Sequence, residues 1–221
     1  MLRVILFDLD GTLMDTAPEI TDALNATLAR FGYPPQPEDR VRDWIGDGAR
    51  ALLGRAMRQA GLPAAWEAQV WTAFAHDYAE HCGQRSRLHE GVRDLLRRAR
   101  AQGLRTVLLT NKEAAFARRL LAGHGLLGDF DLLVAGDTLP VRKPHPAVVA
   151  HALAALQAAP HEALLVGDSV TDVRTARAAG IAVQLVRHGY PGADLAGAEA
   201  PDGWIAHFDG FLPADERSPA A

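Results

Sequence analysis

Short apolar runs and longer stretches of helical spacing alternate along most of this chain. Residues 3–7, RVILF, are an unbroken apolar and β-branched run, which predicts a strand buried on both faces. Thr16, followed three positions on by Glu19, has the form of a capping box. Ile20, Leu24, Thr27, Leu28 and Phe31 then recur at helical spacing, so a helix is expected up to Gly32, ahead of Tyr33-Pro34-Pro35. From Arg40 to Cys82 the spacing is helical throughout, broken at Gly46, Gly48 and the Gly61-Leu62-Pro63 turn. After that the pattern changes. Helices over 91–101, 114–122, 146–157 and 171–179 alternate with strands over 105–109, 131–135, 163–166 and 182–186, and Gly180 caps the last helix. A final short strand is expected over 204–206, while the glycine- and proline-rich stretch after Pro191 and the closing DERSPAA read as irregular.

Such alternation implies an α/β fold, a Rossmann-like parallel sheet with helices on both faces. Its first strand is separated from the others by an inserted helical segment. The expected domains are therefore an α/β core over 1–14 and 86–221 and a helical cap over 15–85. The insertion follows the carboxyl end of a strand, where open α/β sheets bind ligands, and is expected to act as a lid crossing at Met14 to Ala17 and Arg85 to His89.

Composition narrows the classes. A chain of 221 residues buries a sizeable core without staples. Its formal net charge of -4 provides no basic footprint for nucleic acid or an anionic membrane, which favours a small or mobile partner. Cys82 is the only cysteine, which excludes an intrachain disulfide or multi-thiol metal site and suits a reducing compartment. No apolar run reaches the length of a signal segment or membrane span, so a cytoplasmic location is expected, as a monomer or homodimer. Lys112 and Lys143 are the only lysines, so lysine-dependent chemistry has two candidates.

Polar residues collect where the strands end. Side chains alternate along a strand, so Asp8 and Asp10 emerge together from the first, with Leu9 turned to the core. Two carboxylates so placed suit a divalent metal or a division of labour between nucleophile and acid/base, although Asp-Gly is also a common turn dipeptide. Gly11 allows close backbone approach, and Thr12 adds a hydroxyl. Thr110 and Asn111 end the second strand and can bind an oxyanion or cap the next helix. Lys143 follows the third strand in RKPHP, where Pro144 and Pro146 stiffen the loop. Asp168 at the fourth strand tip suits a metal ligand, and Asp172 suits a supporting role or a favourable helix N-terminal charge. Four such aspartates against one lysine require a cation. All-oxygen ligands point to Mg²⁺, and metal plus lysine suits phosphoryl transfer on a small phosphorylated metabolite.

DLDGT at Asp8 to Thr12, LLTN ending at Asn111, RKPHP around Lys143 and GDSVTD at Asp168 to Asp172 resemble, in order, the four motifs of the haloacid dehalogenase-like hydrolase superfamily. APEITDALNATL, WIGDGARALL, GDTLPVRKPHP and VRHGY are similar to its phosphoglycolate phosphatase branch. The resemblance implies that Asp8 attacks phosphorus and becomes an aspartyl-phosphate, and that Asp10 is the general acid/base. It further implies that Thr110 and Lys143 hold the phosphoryl oxygens, and that Mg²⁺ binds the Asp8 carboxylate, the Asp10 backbone carbonyl and Asp168.

Departures from the branch fall in the insertion, where Asp47 in GDG replaces a common asparagine and LHEGV at Leu88 to Val92 replaces an aromatic-proline lead. Asp47 repels a substrate carboxylate unless it points away or binds an arginine. Gly46 and Gly48, with Arg50 and Arg55 nearby, suit a small anionic leaving group or a glycine-broken helix junction with solvated arginines. Asp10 argues against a dehalogenase, and the lysine-free insertion against a Schiff-base phosphonate hydrolase. A β-phosphoglucomutase-like isomerase, a sugar-phosphate, nucleotide or pyrophosphate phosphatase, and a non-catalytic binding module remain alternatives.

Overall fold

The computed structural model describes residues 1–190, 195 and 197–212. Among these residues six parallel strands make one sheet: β1 (Val4–Phe7), β4 (Arg105–Leu109), β5 (Leu132–Val134), β6 (Ala163–Gly167), β7 (Ala182–Val186) and β8 (Gly203–Ile205). Their spatial order is β5-β4-β1-β6-β7-β8. The chain builds outward from β1 through β4 to β5, then crosses to the other side for β6, β7 and β8. The carboxyl end of β1 is thus the switch point where an open α/β sheet forms its crevice. β1 pairs on both sides, with Phe7 opposite Leu108 and Val166, which explains its wholly apolar sequence.

Strand alternation divides the core into two layers. Ile5 and Phe7 pack on one face with α5 (Val92–Ala101) and α6 (Ala114–Gly123); Val4 and Leu6 pack on the other with α7 (Ala147–Leu156) and α8 (Val170–Ala179). In α5 the buried residues Val92, Leu95, Leu96 and Ala99 repeat at the spacing of one helix face. Helices and strands of the core lie within one or two residues of the boundaries expected from sequence, and Gly180 ends α8 in the left-handed conformation. The expected strand near Trp204 is β8. DERSPAA and residues 191–194 and 196 lie outside the described residues.

Between β1 and β4 the chain makes β2 (Met14–Asp15), α1 (Ala17–Arg30), α2 (Glu38–Arg42), α3 (Ala49–Ala60), α4 (Glu67–His81) and β3 (Arg87–Leu88). The expected crossings meet: β2 and β3 pair antiparallel as a two-stranded ribbon. α1 and α4 pack through Ile20, Leu24 and Leu28 against Val70, Phe74 and Tyr78, with buried Asp77 accepting from Thr27 Oγ1 (2.9 Å) and Arg30 Nε (3.0 Å).

The capping box expected at Thr16 and Glu19 does not form. Thr16 is the N-cap of α1 but makes no side-chain cap, because its hydroxyl donates instead to Asp10 Oδ1 at 2.6 Å. Glu19 is fully buried and accepts from the backbone N–H groups of Gly83 (2.9 Å) and Ser86 (2.9 Å), with Arg85 at 3.4 Å. Tertiary demand for an acceptor at the returning segment overrides the local motif. Replacing Glu19 by Ala removes the buried acceptor these amides share, and a loss of about 3 kcal/mol in urea unfolding is expected; an unchanged midpoint would count against the assigned role.

Candidate active site

Three adjacent strands deliver the key residues to one place. Asp8 follows β1, its N–H donating to Val166 O at 2.9 Å; Thr110 follows β4, its N–H donating to Val134 O at 3.0 Å; Asp168 follows β6. Leu9 is fully buried, so Asp8 and Asp10 both face a cavity of about 40 Å³ that the inserted helices close from above. Gly46, Gly48, Leu52 and Tyr78 form part of its wall on that side, and Thr110, Asn111 and Lys112 part of its floor.

Asp8, Asp168 and Asp172 offer carboxylate oxygens that all lie within 4.8 Å of one another, and all three residues are buried. Each like-charged pair at such separations costs about 4 kcal/mol at an effective dielectric near 20. Among the described residues Lys143 is the only cation against them: its Nζ stands 2.9 Å from Asp8 Oδ1 and donates to Asp172 Oδ1 at 2.7 Å. Burial pushes the Asp8 carboxyl up, Lys143 draws it back, Asp172 and Asp10 push it further, and the result is about 7. Asp168 is raised by burial first and then by Asp172 and Asp8. Lys143 rises because the two carboxylates outweigh the burial that opposes its charge. Although paired with that ammonium, Asp8 Oδ1 accepts no hydrogen bond of regular geometry. An under-coordinated oxygen within a surplus of carboxylates fits a hard divalent cation.

Asp168 is held tightly. Its Oδ1 accepts from Thr12 Oγ1 (2.9 Å) and its Oδ2 from Tyr190 N (2.6 Å). A Cβ on Gly11, whose φ is 84°, would lie 2.3 Å from Asp168 Oδ2, and one on Gly189 would lie 2.1 Å from Asp168 Cβ, so both positions exclude a side chain. The Tyr190 hydroxyl in turn accepts from the N–H groups of Thr16 (3.0 Å) and Ala17 (3.2 Å) and donates to Asp15. Asp172 orients its neighbours: Oδ2 accepts from Asp168 N (3.2 Å), Ser169 N (3.1 Å) and Ser169 Oγ (2.9 Å) at the start of α8.

The Asp10 side chain stands apart from this cluster. Besides Thr16, it accepts from Lys112 Nζ at 2.7 Å (Oδ1) and 3.0 Å (Oδ2). Lys112 is the site residue that sequence reasoning passed over. The count of two lysines was the available signal; both are buried here, each against an aspartate of DLD. Thr110 lines the cavity, its Oγ1 accepting from Lys112 N at 3.2 Å. Asn111 Nδ2 donates to Gly46 O and to Lys143 O, both at 3.1 Å, and so ties the inserted segment to the loop of the catalytic lysine candidate.

The arginines expected near a leaving group face elsewhere. Arg55 pairs with Asp47 and donates to Trp44 O at 2.8 Å, and Arg50 lies over the Trp71 ring at 4.2 Å. Asp47 also accepts from Thr171 Oγ1 at 2.7 Å; despite burial, Thr171 and Arg55 hold its carboxyl below the ordinary range. The repulsion its sequence position raised is therefore neutralised.

A family model described as "haloacid dehalogenase-like hydrolase" matches residues 2–180. The chain belongs to the haloacid dehalogenase-like hydrolase family. Among curated members, a phosphoglycolate phosphatase of Nitrosococcus oceani is 38% identical over 85% of both chains. The plasmid-borne phosphoglycolate phosphatase of Cupriavidus necator is 40% identical over 98% of this chain and 96% of its own. A crystal structure described as a predicted phosphoglycolate phosphatase from Haemophilus somnus superposes with a TM-score of 0.90 at 31% identity, covering 96% of each chain. Within this hydrolase family the chain is an enzyme of the phosphatase class.

The raised Asp8 carboxyl has a sign that can be measured. Its pKa in the fold exceeds its unfolded value, so the folded state holds the extra proton, and stability falls as pH rises through the folded value. In EDTA, raising pH from about 6.5 to 8 is expected to cost about 1 kcal/mol, and Asp8→Asn to flatten that dependence. Equal slopes in the two proteins, measured by denaturant unfolding, would remove Asp8 as the source.

Proposed function

We propose that the chain is a Mg²⁺-dependent phosphoglycolate phosphatase working through an aspartyl-phosphate on Asp8. The observation that carries this reading is the pairing of two differently placed carboxylates: Asp8, facing Lys143 with an under-coordinated oxygen, and Asp10, held apart by Lys112 and Thr16. Relatives 38% and 40% identical that are named for this activity support the substrate.

In the first half-reaction an Asp8 oxygen bonds to phosphorus as the P–O bond to the glycolate oxygen breaks. Asp10 gives its proton to the departing alkoxide. In the second half Asp10 takes a proton from water, the water oxygen bonds to phosphorus, and the P–O bond to Asp8 breaks, releasing orthophosphate. Lys143 and Thr110 hold the phosphoryl oxygens through these steps. Asp8, Asp168 and the Asp10 carbonyl would hold Mg²⁺, which would supply charge neutralisation to the phosphoryl group. Asp172 keeps Lys143 and the Asp168 backbone in place.

Residues 15–85 act as the cap, and the β2–β3 ribbon is its hinge. In the closed position Asn111 to Gly46 and Thr171 to Asp47 hold it to the core. Relatives named for phosphoglycolate hydrolysis set the mutase reading behind this one. No helix among the described residues is long and apolar enough to cross a membrane, and with a buried free Cys82 a cytoplasmic enzyme is the fitting setting.

Purified enzyme is expected to release orthophosphate from 2-phosphoglycolate with Mg²⁺ and to stop in EDTA. Asp8→Asn should lower kcat by about 10³-fold or more. Full turnover in that variant would refute the nucleophile, and conversion of glucose 1-phosphate without phosphate release would put the mutase in its place.

A further inference from the structure

We infer that Lys112 is the specificity residue that binds the carboxylate of the leaving group, exchanging its ion pair with Asp10 for one with the substrate. This rests on the phosphoglycolate reading above. Lys112 is the only cationic residue lining the cavity among the described residues. Lys143 is engaged between Asp8 and Asp172, and Arg50 and Arg55 face Trp71 and Asp47.

The Lys112 ammonium has one carboxylate partner, Asp10, and lies 5.0 Å from the centre of the Tyr78 ring. Glu19, the other carboxylate near it, is occupied by the N–H groups of Gly83 and Ser86. A buried cation with a single anionic partner on a cavity wall can take a second anion or change partners, because Asp10 keeps the Thr16 hydroxyl when the ammonium leaves. Ile20, Leu52 and Phe74 complete an apolar wall, and in such surroundings an ion pair is far stronger than in water.

One further feature fits an anion. The amino end of the 12-residue α3 borders the cavity through Gly48 and Ala49, adding a favourable dipole. Glu113, the remaining carboxylate on the wall, opposes an anion, and Lys112 is the attractive charge beside it. Thr110 and Lys112 line one enclosed cavity, so the carboxylate and the phosphoryl group have to fit within it together.

The decisive comparison is kcat/KM for 2-phosphoglycolate against 2-phosphoglycolamide, which keeps shape and removes charge. Wild-type enzyme should prefer the acid, and Lys112→Gln should lower that preference about 10- to 100-fold, the worth of one charge-assisted hydrogen bond. A wild type that discriminates and a variant that discriminates equally would overturn the role of Lys112 alone. A wild type indifferent to the amide would overturn this inference, whereas no orthophosphate release from 2-phosphoglycolate would overturn the reading it rests on. A second measurement needs no Lys112→Gln protein. With ¹⁵N-lysine labelling the chain has two Nζ signals, and the one missing in Lys112→Arg should shift with glycolate and not with ethylene glycol. No shift at glycolate concentrations that inhibit turnover would refute the contact.

Discussion

Asp8, Asp168 and Asp172 bring their charges together where the protein is buried, and a single ammonium, Lys143, stands among them. Most of the surrounding structure serves this concentration of like charge. Glycines leave room for Asp168, backbone amides and hydroxyls fill the remaining lone pairs of Asp168 and Asp172, and the strand switch at β1 sets the three segments side by side. The arrangement is costly to the fold, since burial and mutual repulsion both favour neutral carboxyls. A protein shaped only for stability would place leucines there.

A second, smaller balance sits beside the first. Asp10 and Lys112 neutralise each other within the same cavity, and neither takes part in the three-carboxylate cluster. The strand period that brings two aspartates out of β1 thus feeds two electrostatic environments only two residues apart. One of them carries surplus negative charge, and the other is matched. Environments that push two carboxyls apart in character allow one to be a nucleophile and the other a proton carrier.

Much of this was legible in the sequence because it depends on strand ends. Apolar runs marked the strands, alternation fixed the sheet as parallel, and the polar residues just past a run, Asp8, Thr110 and Asp168, with Lys143 in the loop after β5, lie at the site or against its carboxylates. What was not legible depends on contacts across the chain. Thr16 and Glu19 have the spacing of a cap, yet Asp10 and the amides of Gly83 and Ser86 claim them. Lys112 reads as the start of a helix until Asp10 is known to be opposite it. Arg50 and Arg55 look available until Trp71 and Asp47 are placed.

Tyr190 joins the acidic cluster to the ribbon. Its backbone N–H holds Asp168, and its hydroxyl, at the far end of a rigid ring, holds Asp15 and the amides of Thr16 and Ala17 where α1 begins. A ring has no soft torsion between those two ends beyond the two that orient it. The position of Asp168 and the angle at which the helices leave the sheet are consequently one mechanical variable rather than two, transmitted through a single side chain without passing through the strands.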